Sequence, residues 1–198
     1  MLVKKVFCRY YHEMSSFDDI LILLERIARV LQNDGHSEGL KPTQWEALRY
    51  FARANRFSRS PSALTAYLGM TKGTVSQTVN ALERKGLIGK EIGDADRRQV
   101  QIELMPKGEK LLTRDPLENM SASLSKLPAG HRQALKDDLS DFLRATLRQR
   151  DGRPFGACKT CRYFRKNAQD GGPHKCGLLE EPLSATDSEK ICVEHEAA

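Results

Sequence analysis

Leu64-Thr65-Ala66-Tyr67-Leu68-Gly69-Met70-Thr71-Lys72-Gly73-Thr74-Val75-Ser76 reads as two short helices joined by a tight turn. The first opens at Pro61 with Ser60 as its cap, because proline suits a position whose N–H has no helical partner. Gly69 and Met70 make the turn, and Thr71 caps a second helix that runs to Lys85 and stops at Gly86. On this second helix Val75, Val79 and Leu82 form one buried stripe. At about 100° per residue, Gly73, Gln77, Asn80 and Arg84 fall on the opposite face. Lys72, Thr74 and Ser76 lie near its exposed N-terminal end. Short hydrogen-bonding side chains suit base edges, and basic ones suit phosphates. Gly73 lets the helix start approach a nucleic-acid backbone, where the helix dipole favours an anion.

Working outward, residues 43–55 predict a preceding helix capped by Thr43, with Trp45, Leu48, Phe51 and Ala52 on one side. Residues 87–91 and 99–104 read as two strands, the second alternating Val100, Ile102 and Leu104 with polar neighbours. The stretch from Gly93 to Arg98 is polar and forms the loop of a hairpin. Further out, residues 15–33 carry Phe17, Ile20, Leu21, Leu24, Ile27, Ala28 and Leu31 at helical spacing. Pro106 opens another helical region, broken near Pro116. A long helix after Pro128 places Leu135, Leu139, Phe142, Leu143 and Thr146 or Leu147 on one stripe. The fold class is mainly α with a small β-hairpin wing. A winged helix-turn-helix core over residues 41–110 sits inside a DNA-binding and dimerisation domain over 1–150. Residues 151–198 change character and form a small Cys-rich tail module.

The same residues carry a family resemblance. Leu40-Lys41-Pro42-Thr43-Gln44-Trp45-Glu46-Ala47-Leu48, the helix-turn-helix quoted above, Leu82-Glu83-Arg84-Lys85-Gly86-Leu87-Ile88, Asp96-Arg97-Arg98 and Leu104-Met105-Pro106-Lys107-Gly108 resemble, in order, the motifs of MarR-type regulators. The resemblance spans roughly residues 15–150. It implies a homodimer built from the first and last helices on a pseudo-palindromic double-stranded operator. It also implies recognition-helix contacts in the major groove and wing contacts in the minor groove. Arg98 matches the wing arginine, Asp96 the acid that orients it, and Arg97 stands between them. In such a regulator a small-molecule effector in the dimer cleft is one candidate signal.

Charge agrees with a nucleic-acid partner. Net charge is +6, and residues 41–110 hold 13 Lys/Arg against 7 Asp/Glu, the whole excess. Trp45 on an apolar helical face reads as core, and His12, His36 and His131 sit in polar surroundings. There is no carboxylate pair, nucleophile–base motif or phosphate-binding glycine loop, so the expectation is a regulator and not an enzyme. An electron carrier or enzyme using the winged helix as scaffold is the competing class. No apolar run approaches the ~20 residues of a membrane span, and the N-terminal stretch lacks a signal-peptide core. A cytoplasmic protein without a membrane partner is expected.

The tail departs from the MarR pattern. Cys158, Cys161, Cys176 and Cys192 give C-x2-C-x14-C-x15-C, a complete four-thiolate set. Their spacing is similar to that of high-potential iron–sulfur proteins, which favours an iron–sulfur cluster. His174 and His195 offer nitrogens that zinc would accept, so zinc is the alternative, with redox thiols a third. Cys8 stands far from the others and reads as a structural or incidental thiol. Because the tail follows the last helix, its state is expected to act on the spacing of the two recognition helices.

Overall fold

The computed structural model describes residues 16–92, 100–168 and 171–198. The chain divides after Pro42 into two compact units. The first contains α1, Ser16–Asp34, which ends as Gly35 donates its N–H to Leu31 O at 3.0 Å. Its apolar side chains face outward: Phe17 is 74% exposed, and Ile20, Leu21, Leu23, Ile27 and Val30 are exposed as well.

The second unit begins within α2, Pro42–Arg53. Pro42 is already helical, so Thr43 is inside the helix and does not cap it as expected; the fixed φ of proline suits that first position. The next helices are α3, Pro61–Leu68, and α4, Lys72–Arg84. Their ends follow the sequence closely. Ser60 Oγ accepts from Ala63 N at 3.2 Å, and Thr71 Oγ1 accepts from Thr74 N at 3.2 Å. Gly69 closes α3 with φ 62°, a conformation that an L side chain adopts only at a cost.

Strands β1, Ile88–Ile92, and β2, Val100–Leu104, pair antiparallel with Ile88 opposite Leu104 and Lys90 opposite Ile102. Trp45, Leu48, Phe51, Leu64, Val75, Val79, Leu82, Ile88 and Ile102 are all buried and form the core of this winged helix. Beyond it run α5, Pro106–Leu112, α6, Leu117–Leu124, and the 20-residue α7, Ala129–Arg148. Neither α6 nor α7 buries a single residue.

The tail is more structured than its sequence suggests. Strand β3, Gly156–Ala157, pairs antiparallel with β7, Ile191–Cys192. A three-stranded antiparallel sheet joins β4, Phe164–Lys166, β5, His174–Cys176, and β6, Glu181–Leu183. A short helix α8, Ala185–Glu189, is capped by Ser184. Phe155 lays its ring edge-on to Tyr50 and Tyr67 of the winged helix, with centroids 6.1 and 5.2 Å away. Leu183 is 1% exposed in a cluster that includes Phe57 from the turn after α2. The tail therefore completes its core with side chains of the winged helix.

Candidate nucleic-acid interface and tail thiols

On α4 the apolar stripe is buried, which fixes what the other face presents. Lys72, Gly73, Thr74, Ser76, Gln77 and Arg84 are exposed. Only hydrogen-bonding and basic groups stand on this surface, and nothing but Thr71 Oγ1, at 3.9 Å, comes near a Cβ built on Gly73. Thr74 differs in one respect: its hydroxyl is already 2.9 Å from Thr71 Oγ1, in the cap. Asn80 is half-buried, and its Oδ1 accepts from Lys90 Nζ at 2.7 Å. Lys90, on β1, also pairs with Glu83 at 2.6 Å, so recognition helix and wing are tied by a side chain that sequence reading passed over. That link has a faint sequence signal, since Glu83 and Lys90 flank the tight turn at Gly86. Asp96, Arg97 and Arg98 lie outside the described residues.

A basic rim surrounds this face. Lys107 Nζ donates to Lys85 O at 2.8 Å, which closes the C-terminal end of α4 with a cation. A groove of about 620 Å³ beside α3 carries Arg56, Arg59 and Arg153. Each has a carboxylate partner (Glu181, Glu103 and Glu194 respectively), so the groove is no open anion site. Among the described residues no helix is long and apolar enough to cross a membrane.

The sequence model described as the MarR family matches residues 38–99. Helices α2, α3 and α4, the turn at Gly69 and the first wing strand β1 lie in that span. The fold is a winged helix similar to that of MarR-family regulators. The transcriptional repressor MprA of Escherichia coli K12 is 26% identical over 146 residues, 71% of this chain and 82% of that protein. The transcriptional regulator BldR from Sulfolobus solfataricus superposes with TM-score 0.52 at 25% identity, covering 67% of this chain and 99% of its own. A complex of S. aureus MepR with DNA gives 0.55 at 20% identity, covering 68% and 99%. The two solved structures are matched almost end to end, while about a third of this chain lies outside each match.

Attached to this winged-helix domain is a cluster of thiols. Cys158, Cys161, Cys176 and Cys192 are all free. Cys158 and Cys192 are buried and share a core with Cys176, Leu183, Phe57 and Phe164. Cys161 is half-buried; its N–H donates to Cys158 O at 2.9 Å. The Cys192 thiol is held well below its usual pKa, first by the hydrogen bond from Cys158 and against the effect of burial. Asn55, the backbone N–H of Glu194 and the Ser58 hydroxyl add to that effect. Cys158 is pushed the other way, by giving that hydrogen bond and by burial.

The donor chemistry suits a soft metal in kind. In arrangement it does not: among the described residues no group of three or more His, Cys, Asp or Glu is placed to hold an ion. His174 and His195 have other company. His174 Nδ1 accepts from Asn167 N at 3.4 Å, and His195 Nε2 lies 2.9 Å from Thr160 Oγ1. The His195 ring lies against Gly156, where a Cβ would meet it at 2.6 Å, so only glycine fits opposite Cys192 in the β3–β7 pair.

Sequence reasoning missed Asn55 and Ser58 altogether. Asn55 Nδ2 donates to Cys158 Sγ at 3.1 Å across 103 residues of chain. Ser58 Oγ accepts from Val193 N at 2.9 Å across 135. Nothing local in the sequence marks either residue.

Proposed function

We propose that the protein is a homodimeric regulator of transcription. It reads double-stranded DNA with α4 in the major groove and the hairpin wing beside it, and its tail thiols report redox or metal state. The observation that carries the DNA-reading part is the exposed face of α4, where every presented side chain can hydrogen-bond to a base edge or pair with a phosphate. The positive excess within residues 41–110 acts in the same direction. The E. coli relative is named a repressor, and the S. aureus neighbour was solved on DNA; both support this reading. A two-fold assembly would present two copies of α4 to an operator of matching symmetry.

The test is a salt series on a duplex selected from random sequence by the full-length protein. Affinity should fall steeply and linearly on logarithmic axes, because phosphate neutralisation releases counterions. Replacing Arg98 with alanine should weaken binding by about 1–3 kcal/mol, mostly at A·T positions flanking the core site. Affinity flat in salt, or an unchanged footprint for Arg98→Ala, refutes the reading.

Support for the sensing part comes from the four cysteines in one small module and from the Cys158–Cys192 contact. An iron–sulfur cluster is the favoured occupant and zinc the alternative; for either, Cys161 and Cys176 must close upon that pair. Protein purified without oxygen should contain iron and sulfide, or one zinc per chain, and lose it in a Cys192→Ser variant. Metal-free protein whose operator affinity ignores both oxidants and reductants would leave the module structural.

A further inference from the structure

We infer that the segment 54–60 of the winged helix belongs to the thiol site and carries its state to the wing strand β2, with Asn55 and Ser58 as positioning residues at one end and Arg59 at the other. This rests on the sensing role proposed above for the tail and names the route by which that role reaches the DNA-reading elements.

Three sets of contacts converge on these residues. At the thiol end, the fully buried Asn55 donates to Cys158 Sγ at 3.1 Å. Ser58, equally buried, accepts from the N–H of Val193, the residue after Cys192. The backbone joins in: Asn55 N donates to Ile191 O at 2.9 Å, and Ala54 forms a parallel bridge with Ile191, the neighbour of Cys192. At the wing end, Arg59 O accepts from Ile102 N at 2.7 Å, and the Arg59 guanidinium pairs with Glu103. Arg59 Nε reaches back to Ala54 O at 3.2 Å, closing the segment on itself. The next residue, Ser60, is the cap of α3.

The chemistry gives this connection a direction. The Asn55 amide is aimed at the Cys158 sulfur. Oxidation or metal bonding there changes the sulfur's strength as an acceptor, so that donor must re-aim. Asn55 has little room to compensate. Its side chain is fully buried, and its Oδ1 has no hydrogen-bond partner among the described residues. Relaxation therefore passes along a short, doubly anchored stretch of backbone into β2. The tail would then act on the wing within one chain, a different route from the change in helix spacing expected from tail position alone.

A double-mutant cycle on full-length protein tests the route, with the selected duplex as probe. In the wild-type background Cys192→Ser should change the duplex Kd by about tenfold or more. In an Arg59→Gln background, where the guanidinium link to Glu103 is cut without touching a thiol, the same change should shrink to about twofold or less. Equal effects in both backgrounds overturn the route while leaving the sensing role intact. No effect of Cys192→Ser in either background overturns both. Since Cys192→Ser can fail to fold, a second measurement uses wild-type protein and p-hydroxymercuribenzoate, which caps thiolates. Amide exchange at Ile102 should then accelerate by about tenfold, and exchange that stays unchanged overturns the route.

Discussion

A variant carrying Leu21→Asp and Leu139→Asp should sediment as a monomer and bind the selected duplex at least about a hundredfold more weakly than wild type. The second figure follows from valency. Joining two reading heads turns the second contact into an intramolecular event, a gain of roughly 10²–10⁴ that a lone protomer forfeits. Leu21 is 53% exposed on α1 and Leu139 43% exposed on α7, amid further outward apolar groups on both helices. Helices draw most of their stability from packing of an apolar face, and α7 has no fully buried residue in its own chain, so its apolar stripe is free for a partner surface. A second copy of the chain supplies one with closed symmetry. Because neither leucine is buried within the protomer, each aspartate leaves the core of the winged helix intact. Circular dichroism should therefore keep the helix signal of the winged helix, with any loss confined to α1 and α7. A variant that remains dimeric, or a monomer with wild-type affinity, would sink the proposed assembly.

The winged helix was legible because its signals are local. Ser60 and Thr71 cap helices three residues away, Gly69 terminates one at its own position, and the Val75–Val79–Leu82 stripe spans two turns. Each of these is decided by neighbours within about four residues, the range over which helical side chains meet. The misplaced cap at Thr43 shows the limit. Proline at the first helical position and threonine at the cap are both good starts, so local signals alone do not choose between them.

The tail was legible in composition but not in arrangement. Four cysteines and few apolar residues suggested a module unable to fold without help, and a metal was the expected source of that help. What the sequence could not show is that the help also comes from Tyr50, Phe57 and Tyr67, a hundred residues earlier. Contacts across 103 or 135 residues leave no periodicity to detect. The same distance hides Asn55, which reads as the frayed end of a helix and proves to be a donor to sulfur. Knowing the docking site changes where regulation is sought: at the turn between α2 and α3, and not at the junction with α7.

Gly108→Ala should lower the stability of the protein by about 3 kcal/mol, whereas Gly130→Ala should be neutral or raise it by up to about 1 kcal/mol. Both glycines lie in helices, α5 and α7, where alanine is intrinsically preferred, so propensity alone predicts the same sign twice. Space decides otherwise. A Cβ on Gly108 would stand 2.2 Å from Leu87 O and 2.9 Å from Leu104 Cδ1, while one on Gly130 meets nothing within 4 Å. Leu87 O cannot step aside cheaply, since it accepts from Met105 N at 3.1 Å in the contact that follows the wing. Leu87 is itself buried, and its N–H is bonded to Leu82 O at the end of α4. The added methyl must therefore push α5 away from the base of the wing, opening the core that Leu82 and Ile88 fill. For a chain of this size 3 kcal/mol corresponds to a fall of roughly 6–12 °C in Tm. Thermal unfolding of the two single variants beside wild type measures both signs at once. Equal Tm values for Gly108→Ala and wild type would mean that α5 does not press on Leu87 as described.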